Sequence, residues 1–229
     1  MALLNSIEDK NLYKKSLAFT LAEVLIVIAV IGITATLTLP NLTNNLDEKK
    51  VVSSLRKIYP ELETAYQAVV AEYGRPPEWA DAASNANAST MSVLLQNKII
   101  KHLSVSDDLY SIEGSAAAIL KDGSRVEFYA QSLSDMKSNY STSYIAGVCT
   151  GYLGYILVDI DGNEKGENSS GKDRFQFNIC YNEGLVPEGE TSSGPTISGS
   201  NAAWVIKAGN MDYLKCAGDL NWNTKRTCK

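Results

Sequence analysis

The sequence predicts an α+β fold: one long N-terminal helix, half apolar and half amphipathic, packed against an antiparallel β-sheet head. Three observations carry that prediction. Phe19–Leu39 is an apolar run of 21 residues with a single charge, Glu23. Beyond it, Leu42, Leu46, Val52, Leu55, Ile58, Leu62, Tyr66, Val69 and Tyr73 recur at steps of mostly three and four, the period of a helix with one buried face. After Ser115 the pattern becomes that of short strands, with Asp122-Gly123 as a hairpin turn.

Phe19–Leu39 makes about 31 Å of helix at the usual rise, which matches a hydrocarbon core of about 30 Å. The amphipathic continuation runs over 40–74, with Asp47, Glu48, Lys49, Lys50, Arg56, Lys57, Glu61 and Glu63 on its other face. Pro40 is a site where the helix kinks, Pro60 either a second kink or a new helix start, and Gly74-Arg75-Pro76-Pro77 a stop. Ala80–Thr90 is small and polar and reads as a loop or a loosely helical link, and Met91–Leu103 reads as a second helix. Strands are expected at Ala117–Leu120, Ser124–Tyr129, Tyr152–Ile160, Arg174–Cys180 and Ala203–Lys207, in a sheet of about four strands. Gly189–Asn201 reads as a surface loop.

The net charge of −5 is unevenly placed. Residues 1–18 carry Lys10, Lys14 and Lys15 against Glu8 and Asp9, a net of +1, which leaves −6 for everything after Ala18. That balance argues against a nucleic-acid partner. Cys149, Cys180, Cys216 and Cys228 contain no CxxC pair, so zinc and thioredoxin-like chemistry are poor readings. An even count downstream of a membrane segment fits two disulfides formed on its oxidising side. Of three possible pairings, 149–180 with 216–228 is favoured, because the first flanks a strand pair and the second closes a short C-terminal loop. His102, the single histidine, has no acid or cysteine placed to make a catalytic set, and the chain reads as a non-enzyme.

Glu23 is the anomaly, since a lone carboxylate in lipid costs on the order of 2.5–3.5 kcal/mol. Lys14-Lys15 before the apolar run should stay cytoplasmic and send the bulk of the chain outward. The run is too long for an ordinary secretory signal. The string Ala18-Phe19-Thr20-Leu21-Ala22-Glu23 and the apolar run after it resemble the cleavage and methylation signal of type IV pilins and type II secretion pseudopilins. The resemblance implies a leader over 1–18, cleavage between Ala18 and Phe19, and N-methylation of Phe19. The family usually has glycine before the cut, and Ala18 is a small substitute. Glu23 would then neutralise the Phe19 amine of a neighbouring subunit, or of its own chain one turn away. A transmembrane and assembly helix over 19–39 and an extracytoplasmic head over 75–229, pilin-like in fold, complete the implied architecture.

Implied partners are copies of the chain and other pilins or pseudopilins, a prepilin peptidase/methyltransferase, an inner-membrane assembly platform and membrane lipid, with no nucleic acid. Its implied location is the inner membrane, then a filament in the periplasm or at the cell surface. Asp159, Asp161, Asn163, Asn168 and Asp173 form a candidate calcium loop with glycines among them, although their spacing is not that of an EF-hand; the bland alternative is a metal-free turn capped by Asp and Asn. No cofactor is required. The disulfide-closed C-terminal loop resembles that of many pilins, and Trp222 within it reads as packing before adhesion. Two other functions stay open: a membrane-anchored extracytoplasmic binding domain, and a minor pilin for adhesion or DNA uptake using Lys215, Lys225, Arg226 and Lys229.

Overall fold

The computed structural model describes residues 19–79, 83–112, 115–145, 147–162 and 167–228, with the side chains of 35–46, 107–112 and 115 outside the description. By internal contacts the chain divides into two units, Met1–Asn45 and Leu46–Lys229. Helix α1, Leu21–Tyr73, is assigned without a break through both Pro40 and Pro60. At Pro60 the ring removes the N–H that the Arg56 carbonyl would otherwise accept. The helix ends at Gly74, whose N–H still closes on the Val70 carbonyl at 3.0 Å.

The head, from Leu46 onward, is built around the inner stripe of α1. Leu55, Ile58, Leu62, Ala65, Tyr66 and Val69 are all buried, which is the face the three-and-four spacing marked. Leu42 and Leu46, from the same series, lie outside the described side chains. Helix α2, Ala88–Ile99, starts three residues before the expected Met91 because Asn87 caps it, accepting from Thr90 N at 2.9 Å. A 3-10 turn, Ile100–His102, finishes it.

Eight strands follow among the described residues: β1 Val105–Ile112, β2 Ser115–Leu120, β3 Arg125–Ala130, β4 Ser143–Ile145, β5 Cys149–Thr150, β6 Tyr152–Asp159, β7 Arg174–Cys180 and β8 Gly184–Pro187. Six make one antiparallel sheet in the order β1-β2-β3-β6-β7-β8, and β4 pairs with β5 separately. The β2–β3 turn is made by Asp122, which accepts from Ser124 N at 3.1 Å, and Gly123 at φ +91°. Val126, Phe128, Ile156, Val158, Phe175, Phe177 and Ile179 form the core face, alternating with a polar face as period two requires. Gln96 anchors α2 to the sheet by donating to the Ala117 carbonyl at 2.6 Å, and the Ser92 hydroxyl accepts from Ala130 N at 2.9 Å.

Two expectations are corrected. Among the described residues the sheet has six strands rather than about four. Ala203–Lys207 is not a strand but the body of helix α4, Ala202–Ala208; α3 is Leu133–Asn139. A run of five apolar-rich residues does not distinguish a short strand from a buried helix, and Gly209 at φ +73° supplies the helix stop. Arg56 of α1 donates to the carbonyls of Ile206 (2.8 Å) and Lys207 (3.4 Å), satisfying that helix end. Trp204 points into the core, fully buried. The Ala80–Thr90 link, read as a loop or a loosely helical segment, is helix from Ala88 on. A short helix α5, Tyr213–Cys216, precedes the C-terminal loop.

Candidate functional site

The candidate site begins where the helix begins. Phe19 and Thr20 precede α1 in non-helical backbone, and Phe19 is 81% exposed. Thr20 is the N-cap. Its hydroxyl oxygen accepts from Glu23 N at 3.2 Å, while Glu23 Oε2 accepts from both Thr20 N and Thr20 Oγ1 at 2.8 Å. This reciprocal arrangement is a capping box, and it satisfies two donors at the helix end. A carboxylate in the first turn also meets the positive end of the helix dipole. The T-x-x-E spacing that encodes it is present in the sequence at Thr20-Leu21-Ala22-Glu23, but the sequence reading assigned Thr20 no role. The peptide unit between Ala18 and Phe19 thus falls just ahead of the cap; Ala18 itself lies outside the described residues.

From Phe19 to Ile33 the large apolar side chains are about half or more exposed all the way round the helix. Among the described residues no helix is long and apolar enough to cross a membrane, and the described side chains of this stretch end at Thr34. Residues 13–39 match the family model for the prokaryotic N-terminal methylation motif. The chain carries a type IV pilin/pseudopilin prepilin signal. No curated protein and no solved structure matches it. In this prepilin signal the capping box fixes where α1 starts, and its carboxylate is the acid that made the stretch anomalous. The motif is one of structural proteins rather than enzymes.

The acidic loop is more committed than its composition suggests. Sheet register sets Asp159 opposite Arg125 on one side and Arg174 on the other. Asp159 is 1% exposed, its Oδ2 lies 3.0 Å from Arg174 Nε, and its Oδ1 accepts from Gly162 N at 3.1 Å. Asp173 accepts from the backbone N–H groups of Asn168 (2.8 Å) and Ser169 (2.6 Å). Asp161 differs: its Oδ1 is buried with no hydrogen-bond partner among the described residues, and its pKa is raised by burial, by a hydrogen bond with Asp159 and by the charges of Asp159 and Asp173. Asn163 lies outside the described residues. Among the described residues no group of three or more His, Cys, Asp or Glu side chains is set to hold a metal ion.

The raised Asp161 pKa has a definite sign. Its neutral form is favoured by the fold, so the stability it contributes is fully present below the unfolded value of 3.8 and lost as pH rises through the folded pKa. Asp161→Asn is therefore expected to melt at a higher temperature than the parent at pH 7, with the difference vanishing below pH 3.8. Thermal melts of both proteins across that range check it. A parent that melts higher at pH 7 contradicts it.

The disulfides are Cys149–Cys180 and Cys216–Cys228. Cys149, Cys180 and Val186 form a small buried cluster of their own, with Ile145 and Val148 against it, which ties the β4–β5 pair to β7 and β8. In the C-terminal loop, Asp212 accepts from Cys228 N at 2.8 Å and Asn210 donates to the Arg226 carbonyl at 3.0 Å. Trp222 packs edge-on to Trp204, its ring close against Gly194 and under the Arg226 guanidinium. Lys215 lies 2.8 Å from the Glu48 carboxylate and Lys225 lies 3.5 Å from that of Asp219. These basic residues are taken up by acids and an aromatic ring rather than gathered into an open patch; Lys229 lies outside the described residues. His102 lies 3.5 Å from Glu72 on the surface, correcting the reading that gave it no acid.

Proposed function

We propose that the chain is a structural subunit of a type IV pilus or a type II secretion pseudopilus. The observation that carries this reading is the methylation motif over 13–39, with Glu23 in the first turn of the helix just beyond the cut. In this reading, residues 1–18 are a cytoplasmic leader, 19–39 the transmembrane and assembly helix, 40–74 its continuation, and 75–229 the extracytoplasmic head. A prepilin peptidase/methyltransferase cuts between Ala18 and Phe19 and methylates the new amine. The chain waits in the inner membrane and then joins copies of itself and other pilins or pseudopilins at an assembly platform.

Physical chemistry supports each step. A helix apolar on all sides has no stable place in water, and lipid followed by neighbouring helices covers it. The cut converts a peptide nitrogen into an ammonium at the membrane edge. Glu23 then has two claims on it: the Thr20 cap within its own chain, and the Phe19 amine of the subunit it meets. The charged hydrogen bond is the stronger of the two and drives docking in register. In the lone subunit, Thr20 keeps the carboxylate hydrogen-bonded meanwhile.

The test is processing. Co-expression with a prepilin peptidase should shorten the parent chain by its leader, and Ala18→Lys should stay full length because a long cation does not fit a site that takes a small residue. Equal shortening of both, or of neither, overturns the cut-site assignment. For calcium, the proposal is that Asp161, with Asp159, Asp173, Asn163 and Asn168, supplies the oxygens. Millimolar calcium should then raise the melting temperature of the parent and leave Asp161→Asn unmoved.

A further inference from the structure

The sequence around the cut offers two competing helix starts. Leu17, Ala18 and Phe19 include no glycine or proline, and alanine is the best helix former of all. Their own propensities therefore do not stop α1 from running back over the Ala18–Phe19 bond. Extending an existing helix needs no new nucleus and is close to break-even per residue, so the better cap decides where it begins. Ser16 heads Ser16-Leu17-Ala18-Phe19, a cap with no acid three residues on. Thr20 heads Thr20-Leu21-Ala22-Glu23, which has one.

In the structure Thr20 wins. Helix α1 starts at Leu21, and Val24 N closes on the Thr20 carbonyl at 3.2 Å. In a longer helix Glu23 N would bond to the Phe19 carbonyl and Thr20 N to that of Ser16. Glu23 N is taken instead by the Thr20 hydroxyl at 3.2 Å, and Thr20 N by Glu23 Oε2 at 2.8 Å. Two of the N–H groups that would carry the helix across the cut are thus spent on the cap. Phe19 is left outside the helix and 81% exposed.

We propose that Thr20 is a positioning residue for cleavage: its cap starts α1 just past the Ala18–Phe19 bond and so keeps that bond out of the helix. The inference rests on the processing read above. Enzymes that grip a peptide through its backbone take it extended, so a helix laid across the bond has to unwind first. The rate of cutting then follows the unwound population. In the hydrolysis itself the hydroxyl of water goes to the Ala18 carbonyl carbon, the C–N bond breaks, and the Phe19 nitrogen takes the proton and leaves as an amine. Glu23→Ala keeps the bond from the residue-23 N–H to the Thr20 hydroxyl, so the chain is still cut.

The experiment measures kcat/KM for leader removal from the full-length protein in detergent micelles by a purified prepilin peptidase. Thr20→Val keeps the shape of the side chain and loses the cap, so cutting should slow about fivefold, the population change one cap is worth. Thr20→Ser keeps a capping hydroxyl and should restore the rate. Ser16→Ala added to Thr20→Val removes the rival start and should bring the rate back toward that of the parent. A peptidase that merely touches the Thr20 hydroxyl would not respond to Ser16, which separates positioning from direct recognition. A parent that is never cut overturns the processing reading, and this inference with it. A parent that is cut while Thr20→Val is equally fast, or a double variant as slow as Thr20→Val alone, overturns the inference and leaves the processing reading standing.

Discussion

Glu23→Ala is expected to leave the chain inserted and cut, and to reduce assembled filaments by about a hundredfold or more. Alanine removes the carboxylate but not the charge it answers: the processed Phe19 amine remains cationic. Breaking one side of a desolvated ion pair costs about 3–5 kcal/mol, which is a factor of roughly 100 to 4,000 in a docking equilibrium. The variant also loses half of the capping box, since Thr20 N no longer has the Glu23 Oε2 acceptor at 2.8 Å. That loss is smaller, about 1 kcal/mol, and acts on the start of the helix rather than on docking. Glu23→Gln separates the two. It keeps an acceptor for Thr20 N and removes the charge, so its filament yield should resemble that of Glu23→Ala. Counting filaments by electron microscopy, with cleavage followed on gels, reads both effects.

Replacing Cys149 and Cys180 together by alanine should lower stability by about 3–4 kcal/mol. The bridge closes a separation of 31 residues, for which the loop-entropy relation gives that magnitude. Both sulfurs are fully buried beside Val186, so the change also opens a small cavity in a cluster that holds the β4–β5 pair to the main sheet. For a head of this size the melting temperature should fall by about 6–16 °C. The Cys216–Cys228 loop spans only 12 residues and is partly exposed, so its removal should cost less, about 3 kcal/mol at most. Thermal unfolding of the two double variants ranks them; the reverse order would contradict this placing of the two bridges.

The helical stripe from Leu55 to Val69 could be read directly from the sequence, because a three-and-four period over many residues has no competing explanation. The Asp122-Gly123 hairpin was equally open, since its turn chemistry is local. Ala203–Lys207 was not, because five residues do not separate a helix from a strand; what decides it is Arg56, about 150 residues away, closing the helix end. The outer strands were missed for a related reason: β1 carries two aspartates in a row and β8 is only four residues long. At the candidate site, Glu23 stood out because a charge in an apolar run is costly, while Thr20 did not, since a threonine there offends nothing. Asp159 could not be placed by composition alone. Its environment depends on strand register, which sets two arginines across from it, and no local spacing encodes that.

The central claim is that the anomalous glutamate follows a cut site whose product is a methylated amine. Intact-mass analysis of the protein isolated from its assembled or membrane-bound form tests it most directly. The account predicts a chain that begins at Phe19 and carries one methyl group on its terminal nitrogen. A chain that still begins at Met1, in cells with a working prepilin peptidase, would contradict it.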